Sequence, residues 1–387
     1  MRADRNPRGG FRGRGAWRMS GRRRKVYGRG SGRRGQRGYG GRHGGSRRAK
    51  RLLAPAAGLA LFLAAALIWY GYGVYQERQQ ALALAESWEP PVRTEEDERL
   101  GDIVEYQGRT YRRNTYVRAV LLLGIDRAET LEETQVAGSG GQADAIFLAA
   151  QDTARDSLRL LMIPRDTMTP ITLTDLSDNV LGQDVQHLTL AYAYGDGREK
   201  SCAYTKEAVS GLLEGLAIDG VMAVSVGALP VLNEAVGGVR VQVEDASLAE
   251  AYPEFELGET IQLYGKSAEI YIRYRDTDQP QSALARTERQ KSYIQGFVRA
   301  AKETAAREEG FVPRLLDAVE PYMVTDMDKG TYMDMALAFL AGGQSFGEED
   351  MITLPGTAVE TPIYDEYHAD EEQILPIVLD LFYREAQ

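Results

Sequence analysis

At 387 residues with 43% hydrophobic content, the chain is long enough for one large domain or two ordinary ones. Its single cysteine, Cys202, excludes an internal disulfide framework. The net charge of −10 hides a strong asymmetry: residues 1–51 hold nineteen Lys/Arg and one acid, about +18, which leaves about −28 for the remainder.

The first segment repeats Arg and Gly, as in "RGGFRGRG" and "GRRRKVYGRGSGRRGQRGYGGRHGG". With so few apolar residues, 1–51 is expected to be a disordered basic tail. Such tails bind RNA through charge and stacking, or set membrane topology and touch anionic lipid. The adjoining segment favours the second reading. Residues 52–76, "LLAPAAGLALFLAAALIWYGYGVYQ", contain no charge and at helical rise exceed the ~30 Å hydrocarbon core. Arg47, Arg48, Lys50 and Arg51 flank the start, and Trp69, Tyr70, Tyr72 and Tyr75 crowd the far end as an interfacial belt. The expectation is one transmembrane helix with its N-terminus cytoplasmic and the acidic remainder outside. No specific nucleic-acid partner is expected.

Residues 77–115 read as a membrane-proximal linker: a helical "QERQQALALAESWE", a break at Pro90–Pro91, then two short strands around "EYQGRTYRRN". From 116 to 387 the pattern alternates between strand and helix, which points to a single α/β domain. Strands are expected at Val117–Ile125, at "AIFLAAQD" and at "DSLRLLMIP"; their continuous apolar runs imply cover on both faces. "TKEAVSGLLEGLAI" carries a helical stripe, "VGALPVLNEAVGG" is a helix closed by Gly237 and Gly238, and "VRVQVED" is another strand. "KSAEIYIRYR" reads as helix into a short extended end, and "RTERQKSYIQGFVRAAKETAAREE" as a long helix. "DMITLPG" and "EEQILPIVLDLFYREA" close the chain as strand and helix.

The familiar hydrolase signatures are missing. The sequence has three histidines, no G-x-S-x-G, no zinc spacing and no P-loop. Strand ends are more informative. Asp126 follows one strand, Asp144 opens the next, and Arg165–Asp166 follows a third; loops beyond strand ends build sites in α/β sheets. Paired carboxylates with only oxygen ligands suit Mg²⁺, and equally Mn²⁺. Arg273 and Arg275 point the same way if "IRYRDTD" is extended, and Arg286 and Gln290 share a helix face with Tyr293 and Phe297. Converging guanidiniums are what a pyrophosphate requires, though salt bridges to the many acids would explain them equally well.

Several motifs in order, "LLLGIDR", "ADAIFL", "MIPRDT", "LAYAYGDG", "IDGVMAVSVGALPVLNEAVGGVRVQV", "YIRYRD" and "RTERQ", resemble the LytR-CpsA-Psr family of envelope proteins over about 116–305. The resemblance implies a mixed central sheet flanked by helices, with an apolar lipid tunnel, in the cell membrane of a Gram-positive-type envelope. It implies a phosphotransferase that moves a glycopolymer from an undecaprenyl-pyrophosphate carrier to peptidoglycan. Carried over, Asp126 and Asp144 match the metal-binding aspartates. Arg165, Arg273, Arg275 and Arg286 match the pyrophosphate-binding arginines, and Gln290 a site glutamine. Arg165, Asp166 and Arg275 are assigned to the transfer step, with Asp166 orienting Arg165. Four positions depart from the family's pattern: Gln142 replaces an arginine, His187 a lysine, Ala283 an aspartate and Ala285 a glycine. The first two lower the site's positive charge. Ala283 removes a candidate base, for which Asp276 or Asp278 are possible substitutes. Alternatives are a non-catalytic binder of polyprenyl-pyrophosphate-linked glycan and, from the family's old attenuator label, an envelope-related regulator. Deleting residues 1–48 separates a tail-driven role from transfer: envelope glycan attachment, measured on purified walls, is expected to change little if the outer domain does the work.

Overall fold

The structure, a computed structural model, describes residues 100–276, 282–341, 344–361 and 364–386. The expected tail (1–51), transmembrane helix (52–76), linker helix and Asp278 lie outside the described residues. Among the described residues no helix is long and apolar enough to cross a membrane.

The centre is a mixed six-stranded sheet. Its members are β3 (Val117–Ile125), β4 (Ala143–Asp152), β5 (Ser157–Met162), β8 (Gly220–Ser225), β11 (Met323–Thr325) and β12 (Met351–Thr353), in the order β11-β8-β3-β4-β5-β12. β3 runs antiparallel to β4, β4 antiparallel to β5, and β8 parallel to β3. The strands are apolar on both faces because both faces are covered. On one side Leu121, Leu123, Ile125, Ile146, Leu148 and Leu161 pack against helices α1 (Thr189–Ala193), α2 (Glu199–Leu212) and α9 (Glu371–Phe382). On the other, Val120, Ala149, Leu160 and Met162 meet Ile294 of α6 (Ser282–Arg307), and Met335 of α8 (Lys329–Ala341).

A second cluster joins α3 (Leu229–Ala235), β9 (Val239–Gln242), β10 (Thr260–Leu263), α5 (Gly265–Arg273), α6 and α7 (Phe311–Val319), with α4 (Ala246–Ala251) alongside. Tyr271, Phe255 and Leu263 are its buried anchors.

Several boundaries differ from the sequence pattern for local reasons. α2 begins six residues before the expected 205 because the Asp196 carboxylate accepts from the backbone N–H groups of Arg198 and Lys200, at 2.8 and 3.1 Å. It ends early, where Glu214 and Gly215 take positive φ. The strand expected over 239–245 stops at Gln242, and Asp245 instead caps α4 by accepting from Ser247 and Leu248. Two hairpins have no clear sequence signal: β6 (Met168–Thr174) with β7 (Val180–His187), and β13 (Gly356–Glu360) with β14 (Asp365–Ala369).

The two short strands expected around "EYQGRTYRRN" are present as β1 (Ile103–Tyr106) and β2 (Arg109–Arg113), turning at Gln107–Gly108. β2 also pairs with β15 (Tyr383–Glu385) at the far end of the chain. The segment read as linker is therefore sewn, from Ile103 onward, into the same sheet as the C-terminus. Phe382 anchors that closure, fully buried with the Arg113 guanidinium 5.0 Å from its ring centre. Phe382→Ala is expected to cost about 3–5 kcal/mol by cavity formation, read as a lower denaturant midpoint at unchanged slope.

Candidate functional site

The antiparallel β3–β4 and β4–β5 pairings bring three chain positions to one edge of the sheet. Ile125 pairs with Ala143, so Asp126 and Asp144 sit at adjoining strand ends. Phe147 pairs with Met162, so the turn after β5 arrives beside them. That turn is fixed from several sides. The Thr167 N–H and hydroxyl both donate to the Pro164 carbonyl, at 3.0 and 2.6 Å, and the Thr189 N–H donates to the Arg165 carbonyl at 2.9 Å.

Arg165 is held by three acceptors. It donates through Nη1 to Asp144, through Nη2 to Gln142 Oε1 at 3.2 Å, and through Nε to Asp166 Oδ1 at 3.2 Å. Arg286 reaches the same carboxylate from α6, its Nη1 lying 3.7 Å from Asp144 Oδ2. Burial, then the nearby positive charge of Arg165, pushes the Arg286 guanidinium down to about 10, so it stays charged at neutral pH. Gln290 lies one turn further along α6 and is also buried.

Asp126 accepts the Gln142 N–H at 2.7 Å. Gly141 makes this approach possible: its φ is +89°, and a Cβ there would stand 2.8 Å from Asp126 Oδ1. Among the described residues no group of three or more His, Cys, Asp or Glu side chains could hold a metal. Asp126 and Asp144 are the two carboxylates at these adjoining strand ends, hard oxygen donors of the type Mg²⁺ takes.

The two arginines of "YIRYRD" part company. Arg273 ends α5, half-exposed, and pairs with Glu269 one turn back at 2.8 Å. Tyr274 then turns extended, and Arg275 donates to Ser282 Oγ at 2.9 Å and Asp365 Oδ2 at 2.8 Å. The shared direction expected for Arg273 and Arg275 is therefore corrected: a helix end separates them, and Arg275 rather than Arg273 acts on Arg286 electrostatically.

Sequence reading missed three participants or misjudged their roles. Gln142 and His187 appeared only as lost cations. Gln142 instead receives Arg165, and His187 Nδ1 lies 3.9 Å from Asp166 Oδ1 with Tyr364 edge-on to its ring. Arg289 went unremarked. It is 4% exposed, donates through Nε to the Tyr271 carbonyl at 2.8 Å, and pairs with Asp245. Its only sequence signal was its place one turn from Arg286. Three polar atoms around the site are buried without a partner: Asp166 Oδ2, His187 Nε2 and Arg286 Nη2. Orphaned groups of this kind are expensive, and a polar ligand would satisfy them.

Two places bear on the expected apolar tunnel. A cleft of about 1120 Å³ runs past α2 and β6, but Lys206, Glu207 and Asp326 line it beside Cys202 and Ile218. The sheet face under α6 and α8 is more apolar, and there Leu122, Phe147 and Leu158 remain only partly buried.

Mixed sheet, strand-end carboxylates and converging arginines define an α/β anion-handling domain. The LytR_cpsA_psr family model matches residues 89–377, and the chain belongs to that family. It is 25% identical over 247 residues to the polyisoprenyl-teichoic acid–peptidoglycan teichoic acid transferase TagU of Halalkalibacterium halodurans, covering 64% of this chain and 72% of that protein. Against the TagU of Bacillus subtilis identity is 24% over 265 residues, covering 68% and 76%. The fold is similar to that of gbs0355 from Streptococcus agalactiae (TM-score 0.53, 22% identity, 69% of this chain and 87% of that one). It is also similar to TagT bound to LI-WTA (TM-score 0.52, 18% identity, 75% and 98%).

The Asp245–Arg289 pair gives a prediction. Burial raises the Asp245 carboxyl, but hydrogen bonds from Ser247 and Leu248 and the Arg289 charge outweigh it, so the net shift is downward. With the folded value below the unfolded one of about 3.9, the stabilisation is present above that pH and is lost as pH falls through the folded value. Asp245→Ala leaves Arg289 buried and is expected to cost about 3–5 kcal/mol at pH 7, with the gap to wild type narrowing in acid unfolding titrations.

Proposed function

We propose that this chain is a membrane-anchored, metal-dependent phosphotransferase that attaches a glycopolymer, delivered on undecaprenyl pyrophosphate, to peptidoglycan. The observation that carries the reading is the meeting of Arg165 and Arg286 on Asp144, with Arg286 Nη2 buried and unpartnered. The relatives' names support it: they are transferases of polyisoprenyl-linked teichoic acid to peptidoglycan.

The transfer forms a bond between the acceptor hydroxyl oxygen and the glycan-bearing phosphorus. It breaks the bond from that phosphorus to the bridging oxygen and releases undecaprenyl phosphate. Such a step needs positioning and charge neutralisation more than covalent catalysis. Arg165 and Arg286 bind the pyrophosphate oxygens, and Arg275 adds charge from the side of β14. Asp166 holds Arg165 through Nε and is a positioning residue. Asp126 and Asp144 would hold Mg²⁺ (or Mn²⁺), which would supply Lewis-acid stabilisation of phosphate charge. The polyprenyl tail lies along the incompletely filled sheet face beneath α6 and α8, near Leu122 and Phe147. The span proposed at 52–76 keeps the domain, on the outer side of the cell membrane, beside its lipid donor.

A second reading, a non-catalytic binder of lipid-linked glycan, draws on Gln142 and Ala283 standing where the family's pattern has an arginine and an aspartate. One experiment separates them. The purified protein is incubated with a lipid-pyrophosphate-linked oligosaccharide and peptidoglycan fragments, with Mg²⁺ or EDTA, and the products are analysed by mass spectrometry. A phosphodiester-linked product is expected with Mg²⁺ only, falling by roughly 10²–10³-fold in Arg165→Ala. Tight donor binding without product, across several donors and acceptors, would establish the binder.

A further inference from the structure

β7 is an edge strand with an unusual surface. Among the described residues it pairs with β6 on one side and with no strand on the other. Every residue from Val180 to Val185 is exposed. The aliphatic ones are among the most exposed in the protein: Val180 at 61%, Leu181 at 67% and Val185 at 51%, with Leu176 at 81% in the turn. Natural edges are usually blunted by lysine, proline or a bulge. β7 carries neither lysine nor proline, its one charge is Asp184, and its one irregularity is the register shift at Leu181. Leu181 is skipped by the β6 register altogether, so it faces no residue of β6.

A lipid surface is a poor occupant. It cannot satisfy a row of free backbone N–H and C=O groups, and the hairpin carries Asp175, Asp178 and Asp184, while Lys200 is tied to Asp178. A strand satisfies those groups, and the sequence of β7 complements itself. Pro170, which has no N–H, stands opposite Val185 in β6. That position is therefore a non-hydrogen-bonded pair, and the backbone groups of Val185, and by alternation those of Gln183, face the free edge. Antiparallel pairing of two β7 strands about Gln183 sets Leu181 opposite Val185, Val180 opposite Gln186, and Asp184 opposite Gly182, which has no side chain. Centring one residue later would put Asp184 against Asp184, a destabilising like-charge pair.

We propose that β7 is the interface of a two-fold homodimer, pairing antiparallel with β7 of a second copy about Gln183 to form a continuous four-stranded ribbon.

Cysteine cross-linking of the full-length protein in mild detergent reads the register directly. The native Cys202 does not compete, because it is buried and burial pushes its thiol up to about 12. In the proposed register the two Gln183 Cα atoms lie about 5.5 Å apart, within disulfide reach. The two Val185 Cα atoms lie about 13 Å apart, four residues of strand rise, which is too far. Under mild oxidation Gln183→Cys is expected to become a disulfide-linked dimer, and Val185→Cys to remain monomeric. The double variant Leu181→Lys/Val185→Lys, at two exposed positions, is expected to keep the wild-type thermal transition while light scattering shows loss of the dimer. Cross-linking of both cysteine variants to the same extent, or of neither, would overturn the proposal, as would a wild-type protein that stays monomeric at tens of micromolar.

Discussion

Two guanidinium groups converge on one carboxylate at the edge of the central sheet, and much of the architecture serves that arrangement. Removing a charge from water costs several kcal/mol even after relaxation, so neither Arg165 nor Arg286 would be buried without compensation. Asp144 supplies part of it to both, and Asp166 and Gln142 supply the rest for Arg165. Arg286 is left with one nitrogen unpaired. The carboxylate comes from β4, one arginine from the turn after β5 and the other from α6. They meet because β3, β4 and β5 are antiparallel neighbours and because α6 packs over the same sheet. Asp144, which faces both arginines, is also one of the two carboxylates assigned to a divalent ion under the proposed function, so on that reading the cation and anion sites are coupled through it.

The two sheet faces are packed differently, and the difference bears on the lipid. Toward α1, α2 and α9 the interior is filled by fully buried Leu121, Ile146, Leu148 and Leu161. Toward α6 and α8 the cluster is smaller, and Leu122 and Phe147 keep some exposure in the middle of the sheet. Native interiors are close-packed, and under the proposed function this partly open apolar layer is the place for the isoprenoid chain.

Much of this was legible from sequence because the information was local. The runs Val117–Ile125 and Leu160–Ile163 announced buried strands, and Asp126, Asp144 and Arg165 stood where those strands stop. The stripe of Arg286, Gln290, Tyr293 and Phe297 lies on one helix, and its first member reaches Asp144. What failed depended on contacts distant in sequence or on a single boundary. β7 is exposed from Val180 to Val185 whatever the residue, so it has no burial alternation to read. β1 and β2 were recognised as strands, but β2 was not recognised as the partner of β15, some 270 residues away. Arg273 and Arg275 were separated because α5 runs to Arg273 before the chain extends, and helix ends are the least certain part of any sequence pattern. Arg289 was passed over because its partner, Asp245, was assigned to a strand instead of a cap.

Set against the family pattern that the sequence resembles, Gln142 has a structural logic beyond lost charge. An arginine at position 142 would stand within reach of Arg165 and repel it. Gln142 accepts a hydrogen bond from Arg165 instead, while its own backbone N–H ties down Asp126. Asp166, itself beside His187, then fixes the remaining edge of the same guanidinium. The site has fewer cations, but Arg165 is fixed by three acceptors at once. For phosphoryl transfer, stabilisation depends on donors that are already oriented when charge develops, not only on how many positive charges lie nearby. A guanidinium oriented by three acceptors, with two of its five N–H groups left to donate, meets that requirement with less repulsion from neighbouring cations.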